Sequence, residues 1–419
     1  MDNQHCRFCG CELKHTFADL GFSPLSNEYL TAEDLNRGQM TYPLKVQVCE
    51  RCFLVQAALY QRPEEIFGEY QYFSSYAASW LQHCKTYVDM IVPRLKLTRE
   101  KRVLEIACND GYLLQYFQPY GIPVKGIEPA ENVAQAARAK GIEVKCCFFN
   151  AESAHELAVT DGLYDLVIGN NVLAHVPDIN SFVEGLSLVL NETGTITMEF
   201  PHLMRLMEQG QFDTIYHEHF HYLSLTTVQK LFQAHGLEIY DVEELGTHGG
   251  SLRIYAAHRA YGLAQMQFAV MALLRREEAF GLKEIGTYAS FTEQMQDIKL
   301  DTLRLLTELK RQGKRIAAFG AAAKGNTFLN YCGIKTDMIE FVVDSNPHKQ
   351  GLYLPGSLIP IVGPSLLRQR KPDYLFILPW NLVDEIIGTA AFVQEWGCKL
   401  ITCIPQIRVF PPVQGQQNS

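Results

Sequence analysis

Short apolar runs alternate with amphipathic stretches over residues 102–258. The runs that predict buried strands are RVLEIA, VKGIEP, IEVKCCFF, DLVIGNNV and GTITMEFP. The stretches with helical spacing are YLLQYFQPYG, NVAQAARAKG and SFVEGLSLVLN, and Gly141 is a natural end for the second of them. Strands and helices that alternate in this way predict a doubly wound, mostly parallel sheet. Residues 237–258 predict two antiparallel strands around a glycine turn, which suits an edge of that sheet.

The same alternation starts again near residue 314, after a long stretch of helical spacing and mixed charge at 262–313. KRIAAFG, IEFVVD and YLFILP predict strands, and FVQEWGCKLITCIP predicts a helix followed by a strand. The predicted fold class is therefore α/β, with two Rossmann-like domains. The predicted domains are a small cysteine-rich domain at 1–68, an α/β domain at 69–261, a helical connector at 262–300, a second α/β domain at 301–410 and a disordered tail at 411–419.

Composition and charge narrow the classes of function. The chain is 47% hydrophobic and 20% charged, as in ordinary soluble globular proteins. Its net charge of −9 argues against nucleic-acid binding, which needs a basic face. No apolar run reaches the roughly 18–20 residues of a membrane span, and the first residues lack signal-peptide character. We therefore expect a cytoplasmic protein whose cysteines are reduced and act as ligands or core residues.

Four of the cysteines form two Cys-x-x-Cys pairs, Cys6 with Cys9 and Cys49 with Cys52. Each pair can place two thiolates on one tight turn, and two such turns make the tetrahedral sulfur site that suits zinc. Because protein sulfur would fill all four positions, the predicted zinc is structural rather than catalytic. Cys11 is a competing ligand, although Cys6 and Cys9 fit the expected spacing better. The alternative is four unrelated cysteines.

The segment from Glu105 to Leu113 runs from a predicted strand through a turn into a predicted helix. Gly111 would let the backbone approach a ligand, and the helix start would offer N–H groups to a carboxylate. The next strand ends at Glu128, where an acidic group can bind both ribose hydroxyls. A three-glycine phosphate fingerprint is missing, which favours S-adenosylmethionine over NAD. The strand end at 170–176 supports this interpretation; the alternative is a generic strand–turn–helix unit.

Residues 216–222, YHEHFHY, are the densest group of titratable side chains. His219 could act as a base near neutral pH, and Glu218 or Tyr216 could orient it or stabilise an oxyanion. A metal site and a structural role are the alternatives, although HEH lacks the spacing of the HExxH zinc signature. The segment THGGSLR at 247–253 suits an anion or sugar contact, or simply a hairpin turn.

A second candidate binding loop, FGAAAKGNT at 319–327, follows a predicted strand and opens a predicted helix. Small residues, Lys324 and free helix N–H groups are the parts of a pyrophosphate cradle, although the spacing is not that of a Walker motif. The loops at 343–347 and 378–381 would ring the same site. The alternative is a packing turn.

In this order, the segments resemble one family, the sugar C-methyltransferases that act on nucleotide-linked 4-keto-6-deoxy sugars. The resemblance covers nearly the whole chain and rests on the paired cysteines together with EIACNDGYLL, GIEPAENVA, NVLAHVPD, YHEHFHYLS, THGGSLR, GAAAKGNTFLNYCGI, VVDSNPHKQGLYLPG and LPWNL. It implies an N-terminal zinc-binding domain, a central S-adenosylmethionine domain and a C-terminal α/β domain that binds the nucleotide sugar. Cys108 stands where relatives often carry glycine or another small residue, so the turn is expected to be slightly tighter.

The resemblance also implies the reaction, which is methylation of C-3 of the sugar through an enolate formed by a histidine base. The implied catalytic residues are His219, Tyr216, Glu218 and His175. The implied cofactor-binding residues are Tyr72, Ser75, Glu105, Ala107, Asn109, Gly111, Tyr112, Leu113, Glu128, Pro129, Asn170, Asn171 and His175. The implied substrate-binding residues are Tyr70, Tyr216, Tyr222, His248, Gly250, Ser251, Arg253, Lys324, Asn326, Thr327, Asn330, Asp344, Pro379, Trp380 and Asn381.

Three further expectations accompany this reading. Either Tyr70 or Tyr72 matches a tyrosine that the family carries just before the central domain. The alternative function is that of an O- or N-methyltransferase acting on a sugar or another small molecule. A third possible function is that of a non-enzymatic scaffold that binds a nucleotide sugar. The partner is a small-molecule nucleotide sugar rather than nucleic acid or membrane, and the chain is expected to be a monomer or a weak homo-oligomer.

Overall fold

The computed structural model describes residues 3–61, 74–76, 78–261 and 266–411. The strands are β1 (His15–Ser23), β2 (Tyr42–Val48), β3 (Val55–Ala57), β4 (Val103–Ile106), β5 (Val124–Ile127), β6 (Glu143–Lys145), β7 (Tyr164–Asn170), β8 (Leu190–Pro201), β9 (His221–Tyr222), β10 (Leu237–Leu245), β11 (Ser251–His258), β12 (Ile316–Phe319), β13 (Val342–Val343), β14 (Ile361–Val362), β15 (Tyr374–Ile377), β16 (Lys399–Thr402) and β17 (Arg408–Phe410). The α-helices are α1 (Ala78–Arg94), α2 (Glu131–Ala139), α3 (Ala151–Asp161), α4 (Ile179–Val189), α5 (Leu203–Glu208), α6 (Leu225–Ala234), α7 (Phe268–Phe280), α8 (Ile285–Arg311), α9 (Ala323–Cys332), α10 (Ser365–Arg370) and α11 (Val383–Thr389). Tyr70, Tyr72 and the predicted tail beyond residue 411 lie outside the described residues.

The chain forms two compact units, each built from separate stretches of sequence. Unit 1 comprises Met1–Lys14, Val48–Met204 and Phe220–Glu284. Unit 2 comprises His15–Gln47, Arg205–His219 and Ile285–Ser419. Residues 15–47 thus share a unit with the C-terminal sheet, while the predicted domain boundaries stay predictions. Among the helices of the described ranges, none combines the length and the apolar character of a transmembrane segment.

A seven-stranded sheet in the order β10-β11-β8-β7-β4-β5-β6 forms the centre of unit 1. The pairs from β8 through β6 are parallel, and strand β4 in the middle is buried along its whole length. Strand β11 is antiparallel to both β8 and β10, which confirms the antiparallel edge pair predicted over 237–258. The doubly wound α/β prediction is confirmed, although IEVKCCFF provides only the three residues of β6.

The helices between these strands differ from prediction at several places. Helices α2 and α4 coincide with predicted helices, and α2 ends two residues before Gly141, as expected. Helices α3 and α6 were not predicted. The predicted helix YLLQYFQPYG is wrong, because the segment forms two 3-10 turns, Leu114–Tyr116 and Gln118–Tyr120. Pro119 lacks an amide hydrogen and its ring would clash in a helix interior. The turn after β4 therefore does not lead into an α-helix N-terminus.

A six-stranded sheet in the order β14-β13-β12-β15-β16-β17 forms the centre of unit 2. Five strands are parallel and β17 is antiparallel. Strands β12, β13, β15 and β16 were predicted, whereas β14 and β17 were not. The helix predicted before β16 is wrong, because residues Ala391–Trp396 form a 3-10 helix. Phe392, Val393 and Trp396 favour an α-helix weakly, and Gly397 ends the segment after six residues.

The helical stretch predicted over 262–313 consists of α7 and α8, with a break that begins at Gly281. Helix α7 belongs to unit 1 and α8 to unit 2. In unit 2 the Phe17 ring of β1 stacks on the Phe291 ring of α8, with centroids 4.6 Å apart. The N-terminal strand β1 is thereby part of the core of unit 2.

Candidate functional site

The four predicted metal ligands lie together in unit 1. The sulfur atoms of Cys6, Cys9, Cys49 and Cys52 all lie within 4.8 Å of one another, and two of the pairs are 3.5 Å apart. Tetrahedral zinc with Zn–S bonds of about 2.3 Å places its sulfurs about 3.8 Å apart, so this donor set fits zinc. The thiol of Cys11 is outside the cluster and faces the carbonyl oxygen of the next residue. The cluster is a structural zinc site, as predicted.

The turn after β4 carries an unusual backbone. Ala107, Asn109 and Gly111 have φ values of +56°, +49° and +74°. Residues other than glycine rarely adopt such values, and strained backbone clusters at functional sites. A Cβ atom on Gly111 would lie 2.3 Å from Cδ1 of Ile142. The lack of a side chain at this position makes room for the core, and the close approach of a ligand to this backbone stays a prediction.

Two buried carboxyl groups border this turn. Glu128 follows β5 and accepts hydrogen bonds from the backbone N–H groups of Asn109 and Ala130, each at 3.0 Å. Each of its oxygens keeps a second lone pair for another donor. Glu105 is fully buried, burial raises its pKa well above the ordinary value, and a hydrogen-bonding interaction with the side chain of Tyr112 opposes this rise. Neither oxygen has a well-formed hydrogen bond within the described part of the chain, so this buried carboxyl group can still bind a polar group of a ligand.

The carboxyl ends of β7 and β8 add polar groups at the same edge of the sheet. Asn170 ends β7, and the amide of Asn171 donates to Nε2 of His248 at 3.1 Å. Asn171 and His248 both have φ of +54°, so two strained residues are joined by this bond. His175 follows in the 3-10 turn Leu173–His175 and is half-buried.

The segment before α1 also reaches the turn. The backbone N–H of Ser74 donates to Oδ1 of Asn109 at 2.9 Å, and the hydroxyl of Ser75 accepts from Lys140 at 2.8 Å. The structure therefore brings the described residues of the predicted cofactor set to one edge of the unit 1 sheet. Within that set, Leu113 is fully buried in the core.

Two residues predicted to contact substrate have hydrogen-bond partners within unit 1. Arg253 lies opposite Glu199 of β8 and Glu243 of β10, and it donates to their carboxylates at 3.0 Å and 2.9 Å. The hydroxyl of Ser251 donates to the carbonyl oxygen of Thr247 at 3.0 Å. Cross-strand charge pairs of this kind stabilise a sheet. Both residues therefore have a structural role in the sheet, and their contact with substrate stays a prediction.

Residues 216–219 of the histidine cluster belong to unit 2, and residues 220–222 belong to unit 1. The catalytic candidates in this cluster therefore all lie in unit 2. Nδ1 of His219 lies 2.7 Å from the carbonyl oxygen of Thr214. Because a carbonyl oxygen can only accept, Nδ1 carries a proton, and in the neutral ring the lone pair is then on Nε2. The ring of Tyr216 packs against the imidazole, with centroids 3.9 Å apart. His219 is half-buried, and its hydrogen bond to Thr214 orients the ring.

Glu218 lies next to His219 and is 5% exposed. Burial raises the pKa of its carboxyl group to about 7, and a hydrogen bond from Asn27 opposes this rise. The amide Nδ2 of Asn27 donates to Oε1 of Glu218 at 2.6 Å. The pattern of residues 216–222 had no signal for this contact, because Asn27 is far away in sequence.

Neighbouring strand ends of unit 2 gather a second group of predicted residues. Lys324 follows β12, and its ammonium group donates to Oδ1 of Asn381, which follows β15, at 2.8 Å. The indole N–H of Trp380 donates to Asp213 at 2.8 Å. Burial raises the pKa of Asp213 to about 6, with the charge of Lys324 opposing. Asp213 is fully buried and was not predicted.

The loops after β12, β13 and β15 touch one another within unit 2. A Cβ atom on Gly320, whose φ is +90°, would lie 2.5 Å from Cδ of Pro379. The carboxylate of Asp344, after β13, accepts from the N–H of Ala321 at 2.8 Å. This arrangement repeats the one in unit 1, where Glu128 accepts from the turn after the preceding strand.

Helix α9 places its predicted residues in contact with other parts of unit 2. The amide of Asn326 donates to the carbonyl oxygen of Ser26 at 2.6 Å, and that of Asn330 donates to Pro355 at 3.0 Å. Thr327 lies 3.5 Å from the Ser26 hydroxyl. Of the described residues in the predicted substrate set, those that belong to unit 1 are Tyr222, His248, Gly250, Ser251 and Arg253.

Three family models match the chain. They describe a zinc binding domain over residues 6–67, a methyltransferase domain over residues 79–242 and a C-methyltransferase C-terminal domain over residues 246–405. Their order is the one that the sequence resemblance implies.

Comparison with known proteins gives the same result. The chain is similar to C-methyltransferase NovU of Streptomyces niveus, with 37% identity over 404 residues and 96% of each chain covered. It is also similar to a ubiquinone biosynthesis O-methyltransferase of Bordetella avium, with 35% identity over 99 residues that cover 23% of this chain and 41% of that protein. Among solved structures, it is similar to PH0226 protein from Pyrococcus horikoshii OT3, with a TM-score of 0.38, 18% identity, and 48% and 99% of the two chains covered. The chain belongs to the C-methyltransferase family and is an S-adenosylmethionine-dependent methyltransferase.

Proposed function

We propose that this enzyme transfers a methyl group to C-3 of a nucleotide-linked 4-keto-6-deoxy sugar and that His219 is the base. The ketone at C-4 of such a sugar acidifies the neighbouring C–H bond, so a positioned side chain can remove the C-3 proton. The enolate that results is nucleophilic at C-3. S-adenosylmethionine, when bound, supplies the methyl group that this carbon accepts.

The observation that carries the proposal is the hydrogen bond from Nδ1 of His219 to the Thr214 carbonyl oxygen. It favours the tautomer with a lone pair on Nε2, which is the form that a general base needs. The proton taken from C-3 goes to Nε2, and the other N–H of the imidazolium already has its acceptor. The packed ring of Tyr216 supports the same orientation of the imidazole.

The enolate oxygen needs a hydrogen-bond donor as its charge develops. Glu218 is the proposed donor, because burial raises its pKa to about 7 and so keeps much of the carboxyl group protonated near neutral pH. A carboxylic acid kept neutral by burial can donate where a carboxylate would repel the enolate. The hydroxyl of Tyr216 is a second proposed donor.

The nucleotide part of the substrate is proposed to bind at the strand-end loops of unit 2. Burial lowers the pKa of Lys324, which means that its ammonium group is poorly solvated and would gain from an anionic partner such as a diphosphate. The indole of Trp380 lies beside this group, with the ammonium 5.3 Å from its ring centroid. Asn381 supplies a further polar group to the same loop.

S-adenosylmethionine is proposed to bind along the carboxyl edge of the unit 1 sheet. Glu128 would accept from the ribose hydroxyls with the lone pairs that its backbone bonds leave over. Glu105 would satisfy its buried carboxyl group with the amino group of the methionine part. Asn171, whose Oδ1 is buried without a partner in the described part of the chain, would hold a further polar group of the ligand.

A pair of histidine variants tests the proposal. We expect His219→Asn to abolish release of S-adenosylhomocysteine from a panel of TDP-, GDP- and CDP-linked 4-keto-6-deoxy sugars. Its affinity for S-adenosylmethionine, measured by calorimetry, should equal that of the wild type, because the proposed cofactor residues belong to unit 1. His155→Asn, at an exposed histidine of α3, is the control and should keep full turnover. Turnover retained by His219→Asn would exclude it as the base.

A further inference from the structure

Residues 26–29 lie between β1 and β2, inside the stretch matched by the zinc binding domain model, yet they belong to unit 2. Two contacts anchor this short segment to the C-terminal sheet of the unit. The carbonyl oxygen of Ser26 accepts from the amide of Asn326 at 2.6 Å, and the hydroxyl of Tyr29 donates to the carbonyl oxygen of Ala321 at 2.6 Å. The segment is thus fixed on both sides of Asn27.

Asn27 uses this fixed position to contact Glu218. Its amide Nδ2 lies 2.6 Å from Oε1, and the carboxyl group that it meets is almost fully buried, whereas Asn27 itself is exposed. Glu28 and His219 neighbour the pair in sequence, and Tyr29 interacts electrostatically with Glu218. The hydroxyl of Tyr29 is bound to Ala321, and the ammonium of Lys349 lies 5.0 Å from its ring centroid. Asn27 is therefore the side chain on this segment that acts on the carboxyl group directly.

We propose that Asn27 is a positioning residue for C-methylation, because its amide decides which oxygen of Glu218 carries the acidic proton. In a neutral carboxyl group, the oxygen that accepts an N–H bond is the carbonyl oxygen, and the proton stays on the other. Oε1 is held by Asn27, so the O–H belongs to Oε2 and has a fixed direction. This inference rests on the proposed function, since the proton serves the enolate oxygen.

Loss of Asn27 has two consequences that a general loss of stability would not produce. The proton is no longer confined to Oε2, so kcat should fall about tenfold, which is the usual cost of one hydrogen bond of this kind. The amide also stabilises the carboxylate, so its removal raises the pKa of Glu218 further. The pH at which methylation declines on the alkaline side should therefore move upward.

The test measures S-adenosylhomocysteine release by the full-length enzyme against pH, with a nucleotide-linked 4-keto-6-deoxy sugar as substrate. Asn27→Ala should lower kcat more than it changes KM and should move the alkaline limb upward. The isosteric Asn27→Asp should move the limb further, because its carboxylate repels that of Glu218. Asn36→Ala, at an exposed asparagine of the same stretch, should match the wild type.

The same assay in a Glu218→Gln background completes the test. Glutamine does not titrate, so the alkaline limb should be absent there, and adding Asn27→Ala should produce no further pH shift. Asn27→Ala with the kcat and the pH limb of the wild type would overturn the inference while leaving the proposed function intact. A wild-type enzyme that releases no S-adenosylhomocysteine with any of the sugars would refute the proposed function and the inference with it.

Discussion

Replacement of Glu218 by glutamine should stabilise the protein above pH 7 and change little below pH 4.5. The reason is the buried carboxyl group, whose pKa is about 7 in the folded chain against an ordinary value of 4.5. Below pH 4.5 the group is neutral in both the folded and the unfolded chain. As pH rises to 7, the unfolded chain releases the proton first, so the stability of the wild type falls. Glutamine keeps the acceptor for Asn27 and never ionises.

The magnitude follows from the two pKa values. Their difference corresponds to about 3 kcal/mol of unfolding free energy, by which the variant should exceed the wild type above pH 7. Glu218 is 5% exposed, so solvent screening reduces this little. For a unit of roughly 150–250 residues, 1 kcal/mol moves the midpoint of thermal unfolding by about 2–4 °C. The variant should therefore melt about 6–12 °C higher than the wild type near pH 8.

Thermal unfolding of both proteins from pH 4 to pH 8.5, followed by circular dichroism, measures this difference directly. Glu33→Gln, at an exposed carboxyl group in the same unit, is the matched control and should not reproduce the change with pH. A difference between Glu218→Gln and the wild type that stays constant over the whole range would refute the reasoning. Glu218 would then not be a buried acid that titrates near neutrality.

Three further variants test the other parts of the site. In elemental analysis, the wild type and Cys11→Ser, a variant outside the cluster, should each contain about one zinc per chain, and Cys49→Ser should contain almost none; equal zinc contents in the two variants would contradict the assignment. Glu128→Ala should weaken S-adenosylmethionine binding by about 10- to 100-fold in calorimetry, with the exposed Glu131→Ala as a control that binds normally. Gly111→Ala should lower the unfolding free energy by about 1–3 kcal/mol in a urea titration, because its Cβ would meet the core, and an unchanged midpoint would exclude that contact.

Local patterns predicted the features that short stretches of sequence determine. The spacing of Cys6 and Cys9 predicted one half of the zinc cluster, because both thiols come from a single turn. The apolar runs predicted the central strands of both sheets, since strands that are buried on both faces are apolar throughout. The segment after Gly111 was predicted wrongly as a helix, because apolar spacing was weighed more heavily than Pro119.

Contacts between distant stretches had no counterpart in those patterns. Asn27 meets Glu218 across 191 residues, and Asp213 meets Trp380 across 167. Arg253 resembled an anion ligand in sequence, but its two acidic partners lie on neighbouring strands. These contacts depend on sheet register and on which separate stretches of sequence form each unit. Neither can be predicted from a single run of residues.

The product of the reaction tests the central claim most directly. The full-length enzyme is incubated with S-adenosylmethionine and the nucleotide-linked 4-keto-6-deoxy sugar of the panel that supports the fastest turnover, and the product is examined by NMR. The account predicts a new carbon–carbon bond, with the methyl group on C-3 and its former proton lost. A product that carries the methyl group on oxygen or nitrogen and keeps the C-3 proton would contradict it.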